Sequence, residues 1–360
     1  MSDWDARLAS DADNGFDAMR LLLASLVVLQ HSYYLVDNSF RREPLFVFSG
    51  GQTDFGSVAV NLFFVISGFL ITRSWQLTNN PTRYMQKRIA RIVPGYLAVC
   101  ALTIIIAISY STERFNLATI VRILTLQGTG MVAFPDNPTS GIIAATLWTI
   151  RHEFECYLLV AALGLVGLLN KITAAFLFVT LAVVYLLQLA DLLTIPSITY
   201  GITWFLIGNP ENWPRLFTYF WAGAAFYLWR DHIPKSSGLA ALSVAAILAA
   251  LLFGGANVVL IGAGTYLLLW VALSTQAVPK VFGRRTDISY GVYLFGCPIQ
   301  QIVIANSPGI SPEMLFFSAF SATACVAYLS WISIESPSIR YRWPQPLNAL
   351  KHARAVAARD

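Results

Sequence analysis

Ten stretches of about 20 mostly apolar residues, bounded by Gly, Pro, Asn or charge, run through this 360-residue chain. They fall at about 16–35, 57–75, 92–110, 146–169, 172–190, 214–230, 238–254, 257–276, 287–306 and 313–334. A run of that length, wound as a helix, matches the hydrocarbon thickness of a bilayer, and only a helix satisfies its own backbone polar groups there. The expected fold is therefore all-α, a polytopic membrane bundle of about ten transmembrane helices. With 56% hydrophobic and 12% charged residues, a soluble pair of domains is excluded.

The net charge of +5 does not point to nucleic acid, because the basic residues gather in short patches between apolar runs, as in cytoplasmic loops. An even number of spans puts both termini on one side. All but six of the 24 Lys and Arg residues then share that side: Arg41, Arg42, Arg114, Arg122 and Arg215 lie opposite, and Arg151 lies within a span. Both termini are expected in the cytoplasm. The first fifteen residues carry Asp3, Asp5, Asp11 and Asp13 without the positive start of a signal peptide, so the first span is expected to be retained. Residues 1–343 read as one transmembrane domain and 344–360 as a basic cytoplasmic tail. Cys100, Cys156, Cys297 and Cys325 lie in apolar runs without CxxC spacing and read as small core side chains; no metal site is expected. No internal repeat is visible.

Two outer connections are long, 36–56 and 111–145. In the second, Leu117 to Leu126 is moderately apolar and precedes Gly128, Gly130, Pro135 and Pro138. It reads either as a re-entrant or interfacial segment covering a cavity, or as an ordered outer loop.

The first span carries Arg20 near its start and His31 near its end. Eleven residues are about three turns, so both lie on one face, roughly 16 Å apart. Ionisable groups inside a spanning helix face protein or a water-filled cavity and mark a working site. In the second span the distinctive residues are Asn61, Ser67 and Gly68. The small pair suits close helix packing, and Asn61 can hydrogen-bond across helices. Then comes a basic cluster, Arg83, Lys87, Arg88 and Arg91, followed by Pro94. Arg88 and Arg91 share a helix face and could grip phosphates together, although the positive-inside rule alone also places basic residues there.

The fourth span opens Thr146-Leu-Trp-Thr-Ile-Arg-His-Glu-Phe-Glu-Cys-Tyr157. Arg151 and Glu155 are four apart and can neutralise one another, and His152 reads as structural. Glu153 has no such local partner. Counted from the outer face it lies roughly 10 Å deep, against roughly 6 Å for His31, so the two are expected to meet as a carboxylate orienting a histidine base. Further on, Pro298 is expected to kink the ninth span, and Glu335 to pair with a loop arginine.

Arg20-x10-His31, NLFFVISGFLIT, KRIARIVPGY, LWTIRHEFECYL, SYGVYLFGCP and ESP, in this order, resemble the acyltransferase-3 family of membrane O-acyltransferases. Members of that family acylate surface polysaccharides, O-antigens, exopolysaccharides and related glycans. The resemblance implies a donor acyl-CoA used from the cytoplasm and an acceptor hydroxyl met on the outer side. It makes Arg20 and His31 the essential pair, Arg88 and Arg91 the acyl-CoA contacts, and Glu153 the acidic group of the fourth helix. Gly296 stands where many relatives carry histidine, and Asn61 where many carry aspartate. No soluble domain is expected beside the bundle.

The sequence thus implies a bacterial inner-membrane O-acetyltransferase with no bound cofactor and acetyl-CoA as donor substrate. Its other partners would be the bilayer and a polysaccharide or lipid-linked glycan, with no nucleic acid. His31 would either deprotonate the acceptor or carry the acyl group, and Asn61, Ser67 or Tyr157 could donate to the oxyanion. The rival reading is a non-catalytic lipid or glycan transporter using the buried Arg and His as a substrate or proton path.

Overall fold

A computed structural model describes Trp4 and residues 15–78, 80–111, 114–198, 208–274 and 286–341. Every regular element among them is helical. The longer helices are α1 (Phe16–Asp37), α2 (Phe55–Thr78), α3 (Pro81–Tyr110), α4 (Trp148–Leu165) and α5 (Lys171–Leu189). They continue with α6 (Trp213–Trp229), α7 (Ser237–Phe253), α8 (Ala256–Ser274), α9 (Ser289–Asn306) and α10 (Pro312–Arg340). Side-chain caps start several of them where the sequence changes from polar to apolar. Asn80, Asn170, Ser236 and Ser311 each accept a backbone N–H of the first turn, and Pro81 and Pro312 stand where a helix needs no donor.

Each expected span lies on one of these helices. Six of them, α1, α2, α3, α5, α8 and α10, are long and apolar enough to cross a membrane. The other four have 17 or 18 residues. Helix α3 begins eleven residues before the expected span, so the basic cluster is not a loop but the first turns of the helix, and the helix runs on through Pro94. The tail at 344–360, together with Gly283, Arg284 and Arg285, falls outside the described residues.

The core is set by small residues. A methyl group on Gly68 would lie 1.8 Å from the Phe220 carbonyl oxygen, and one on Gly223 would lie 2.0 Å from that of Val65. Helices α2 and α6 therefore cross backbone against backbone, the packing role expected for Gly68. Helix α1 packs on α2, α8, α9 and α10. Its register against α2 is fixed at both ends: the Phe16 and Phe69 rings are 5.5 Å apart, while Gln30 lies against Gly56.

The connection after α3 does two things. Its short helix, Leu117–Leu124, buries only Thr119 and leaves Leu117 and Leu124 exposed, so it lies on the bundle surface. The chain that follows enters the bundle along α9. Asn137 Nδ2 donates to the Gln301 side chain at 2.6 Å, and Gln301 Nε2 donates to the carbonyls of Thr139 and Ile142 at 2.9 and 2.6 Å. Lower down, Ala145 N–H reaches Cys297 Sγ at 3.4 Å, and Thr149 shares a 2.6 Å bond with the Tyr293 hydroxyl. From Gln301 to Tyr293 is eight residues of helix, roughly 12 Å. The stretch read as re-entrant or interfacial, Leu117 to Leu126, thus lies at the surface; the chain that enters the bundle is the part after it, and α4 begins deep inside the bundle.

Candidate active site

Helices α1, α2, α3, α4 and α9 enclose a cavity of about 120 Å³. Its polar lining includes Arg20, Ser67, Arg88, Arg91, Glu153 and Tyr157, six of the eight site residues expected from the sequence. Its apolar wall runs along α2 from Ile71 to Val60, about 16 Å at the helical rise.

The three arginines gather at one end of this cavity and differ in their partners. Arg91 donates to Asp287 Oδ2 at 2.5 Å, and Arg20 donates to the same oxygen at 3.2 Å and to Asp17 at 2.7 Å. The Arg91 guanidinium also lies over the rings of Tyr290 and Trp331, at 5.6 and 5.9 Å. Among the described residues, Arg88 has no acid partner. It lies 5.9 Å from the rings of both Tyr84 and Tyr157, reaches Ser74 Oγ at 3.5 Å, and its buried Nε makes no hydrogen bond. A planar donor fork left without a counter-ion beside a cavity is an anion-binding group. Asp287 was missed as a site residue in the sequence. The available signal was an acid two residues before Ser289, at the mouth of the SYGVYLFGCP string.

Glu153 is not left without a local partner, contrary to the sequence expectation. The Tyr157 hydroxyl, one turn on, donates to its Oε1, and Ser67 Oγ donates to the same atom at 3.3 Å. Spacing of four was read for Arg151 and Glu155 but not for this carboxylate and phenol. The Arg151 bond to Glu155 is present at 2.8 Å, and Glu155 also holds His152 Nδ1 and Trp213 Nε1, each at 3.1 Å. His152 is buried in this second cluster, which ties α4 to α6, in keeping with its structural reading.

His31 does not line the cavity, and neither it nor Glu153 bonds the other. Its Nδ1 lies 2.9 Å from the Val27 carbonyl. A carbonyl only accepts, so Nδ1 carries the proton and the Nε2 lone pair is left for chemistry. The carboxylate whose charge reaches the ring is Asp54, at the foot of α2. Asp54 and Ser67 are thirteen residues apart on α2, roughly 20 Å, so the His31 level and the Glu153 level are about that far apart. The depth count failed because the chain goes in by about 12 Å before α4 starts.

Two further expectations are corrected. Asn61 is buried with its Oδ1 unpaired, but it does not line the cavity. Glu335 accepts from Ser330 Oγ at 2.9 Å and, among the described residues, makes no ion pair, since Arg91, the arginine whose charge reaches it, is bonded to Asp287; the loop arginines Arg284 and Arg285 lie outside the described residues. At Gly296 a methyl group would lie 2.8 Å from Val28, so the position faces α1.

The sequence matches the model of an acyltransferase domain over residues 13–332, and the chain belongs to this acyltransferase-3 family. It is 30% identical over 338 residues to the "O-acetyl transferase" of Shigella phage Sf6, an alignment that covers 89% of this chain and 95% of that protein. It is 26% identical over 356 residues to "Nodulation protein 10" of Rhizobium leguminosarum bv. viciae, covering 91% and 94%. No solved structure matches. The protein is an O-acyltransferase enzyme built as a multi-pass helical membrane protein.

Proposed function

We propose that this enzyme moves an acetyl group from acetyl-CoA, held at the cytoplasmic face of a bacterial inner membrane, to a sugar hydroxyl of a surface or lipid-linked polysaccharide met from the other side. In this reading all ten long helices cross the bilayer and both termini are cytoplasmic. What supports it is the cavity itself: three guanidinium groups at one end, one of them without an acid partner among the described residues, and an apolar wall leading away from them along α2. Phosphates fit the charged end, and the long uncharged arm of an acyl-CoA fits the wall. Val60, at the far end of that wall, is six residues from Asp54 and hence about 9 Å below the His31 level.

The donor would then enter with its phosphates on Arg88 and its acyl group carried towards His31. In one route His31 Nε2 takes the acceptor proton as the hydroxyl oxygen attacks the thioester carbonyl, the C–S bond breaks and the proton passes to the leaving CoA thiolate. In the other, Nε2 itself attacks, releases CoA and hands the acyl group to the acceptor hydroxyl as that hydroxyl's proton leaves. Both routes need the lone pair that the Val27 carbonyl leaves free. Glu153 acts at the donor end. Its carboxylate accepts from the Tyr157 and Ser67 hydroxyls and fixes them beside the arginines that take the phosphates.

Purified protein in nanodiscs, given acetyl-CoA with and without a lipid-linked or polysaccharide acceptor, tests this through released CoA thiol. Acceptor-dependent thiol release together with acetylated glycan is expected. Glycan movement across a vesicle membrane with no thiol release would replace this reading with transport.

A further inference from the structure

Asp287 does not line the cavity, yet it makes four hydrogen bonds directly behind its donor end, two of them to arginines that do. Its Oδ2 receives Arg20 from α1 and Arg91 from α3, at 3.2 and 2.5 Å. Its Oδ1 receives the Ser289 backbone N–H at 3.1 Å and the Ser289 hydroxyl, which fixes it to the first turn of α9. The side chain is 11% exposed. One carboxylate thus joins three helices.

We propose that Asp287 is a positioning residue for the acyl-CoA donor: it aims Arg20 and Arg91 into the cavity so that their remaining N–H groups meet the donor phosphates. The proposal rests on the donor assignment made above. Two roles are open to an acid among arginines, a fixed anchor or a stand-in anion that the substrate displaces. The Ser289 bonds decide for the anchor, because a displaced carboxylate would have to break four hydrogen bonds rather than two. A guanidinium carries five N–H donors in a rigid fork, so one bond to Asp287 sets its plane and leaves donors free. Among the described residues Arg88 has no such anchor and lies beside aromatic rings instead.

The test is Asp287→Asn, which keeps the shape and the Ser289 contacts and removes the charge. The apparent KM for acetyl-CoA is expected to rise about tenfold, with kcat held within about twofold and the acceptor KM unchanged. Calorimetric CoA binding by the detergent-solubilised protein is expected to weaken in parallel, with no turnover involved. Combining Asp287→Asn with Arg91→Lys is expected to be little worse than Arg91→Lys alone, because one acts through the other. A merely structural acid would lower the amount of active protein and hence kcat, and leave donor KM in place. That outcome, effects that multiply in the double variant, or tighter donor binding as for a displaced stand-in, would each overturn the proposal. Should Asp287→Asn not accumulate as folded protein, Asp287→Glu keeps the charge but moves it by one methylene, and an unchanged donor KM there overturns the proposal equally. Wild-type enzyme without acceptor-dependent thiol release would remove the donor assignment and this inference together; wild-type activity with an unmoved variant KM removes the inference alone.

Discussion

Arg88→Gln separates donor binding from folding, because Arg88 gives the fold little. Among the described residues it has no carboxylate partner, its Nε is unbonded, and its hydrogen bond to Ser74 is 3.5 Å long. Its contacts with the Tyr84 and Tyr157 rings, at 5.9 Å each, are worth about 0.5–1 kcal/mol apiece. Against that loss stands relief from holding an unpaired charge in a partly buried place, which costs at least as much. The two nearly cancel, so the unfolding temperature should stay close to that of the wild type. Donor binding should not. A hydrogen bond to a charged group contributes about 1.5–3 kcal/mol, and losing one from Arg88 to a phosphate weakens acetyl-CoA binding by about 10- to 150-fold. Arg91→Gln makes the contrast, since it strips Asp287 of its 2.5 Å partner and should cost stability as well as affinity. The assay is initial rate against acetyl-CoA concentration, with thermal unfolding of the same preparations. An Arg88→Gln enzyme with wild-type donor dependence would refute the reasoning, and so would one that loses stability as Arg91→Gln does.

The roughly 20 Å between the His31 and Glu153 levels predicts that His31→Ala abolishes transfer while calorimetric CoA affinity stays within about twofold; a large loss of CoA binding would contradict the separation. Glu155→Gln is expected to act on the fold, by about 1.5–3 kcal/mol in chemical or thermal unfolding, because it weakens the bonds from Arg151, His152 and Trp213 at once. A variant with full stability and lost turnover would place Glu155 in the chemistry instead. Gly68→Ala puts a methyl 1.8 Å from the Phe220 carbonyl oxygen, so α2 and α6 must part, at a cost of about 1–3 kcal/mol or more. Wild-type thermal stability in that variant would contradict the backbone-to-backbone crossing.

The sequence by itself determined the helical membrane fold, because bilayer thickness and unsatisfied backbone groups leave an apolar run of 20 residues little choice. It also marked working residues: the cost of burying a charge singled out Arg20 and Glu153, a shared helix face singled out Arg88 and Arg91, and Ser67 and Tyr157 stood as candidate donors, and all six line one cavity. Local spacing sufficed for the Arg151 and Glu155 pair and for Gly68 as a packing residue, because both depend only on helical geometry. Depth and partnership were decided by the tertiary structure. A count of 1.5 Å per residue holds only while the chain is α-helical, and residues 125–144 are not helical. That stretch descends along α9, held by Gln301 and Cys297, and carries Glu153 away from His31 to Tyr157, Ser67 and the arginines. Asp287 became visible only there too, because its role lies in two arginines more than 190 residues away in the chain, and no periodicity within one helix can record a contact made between three.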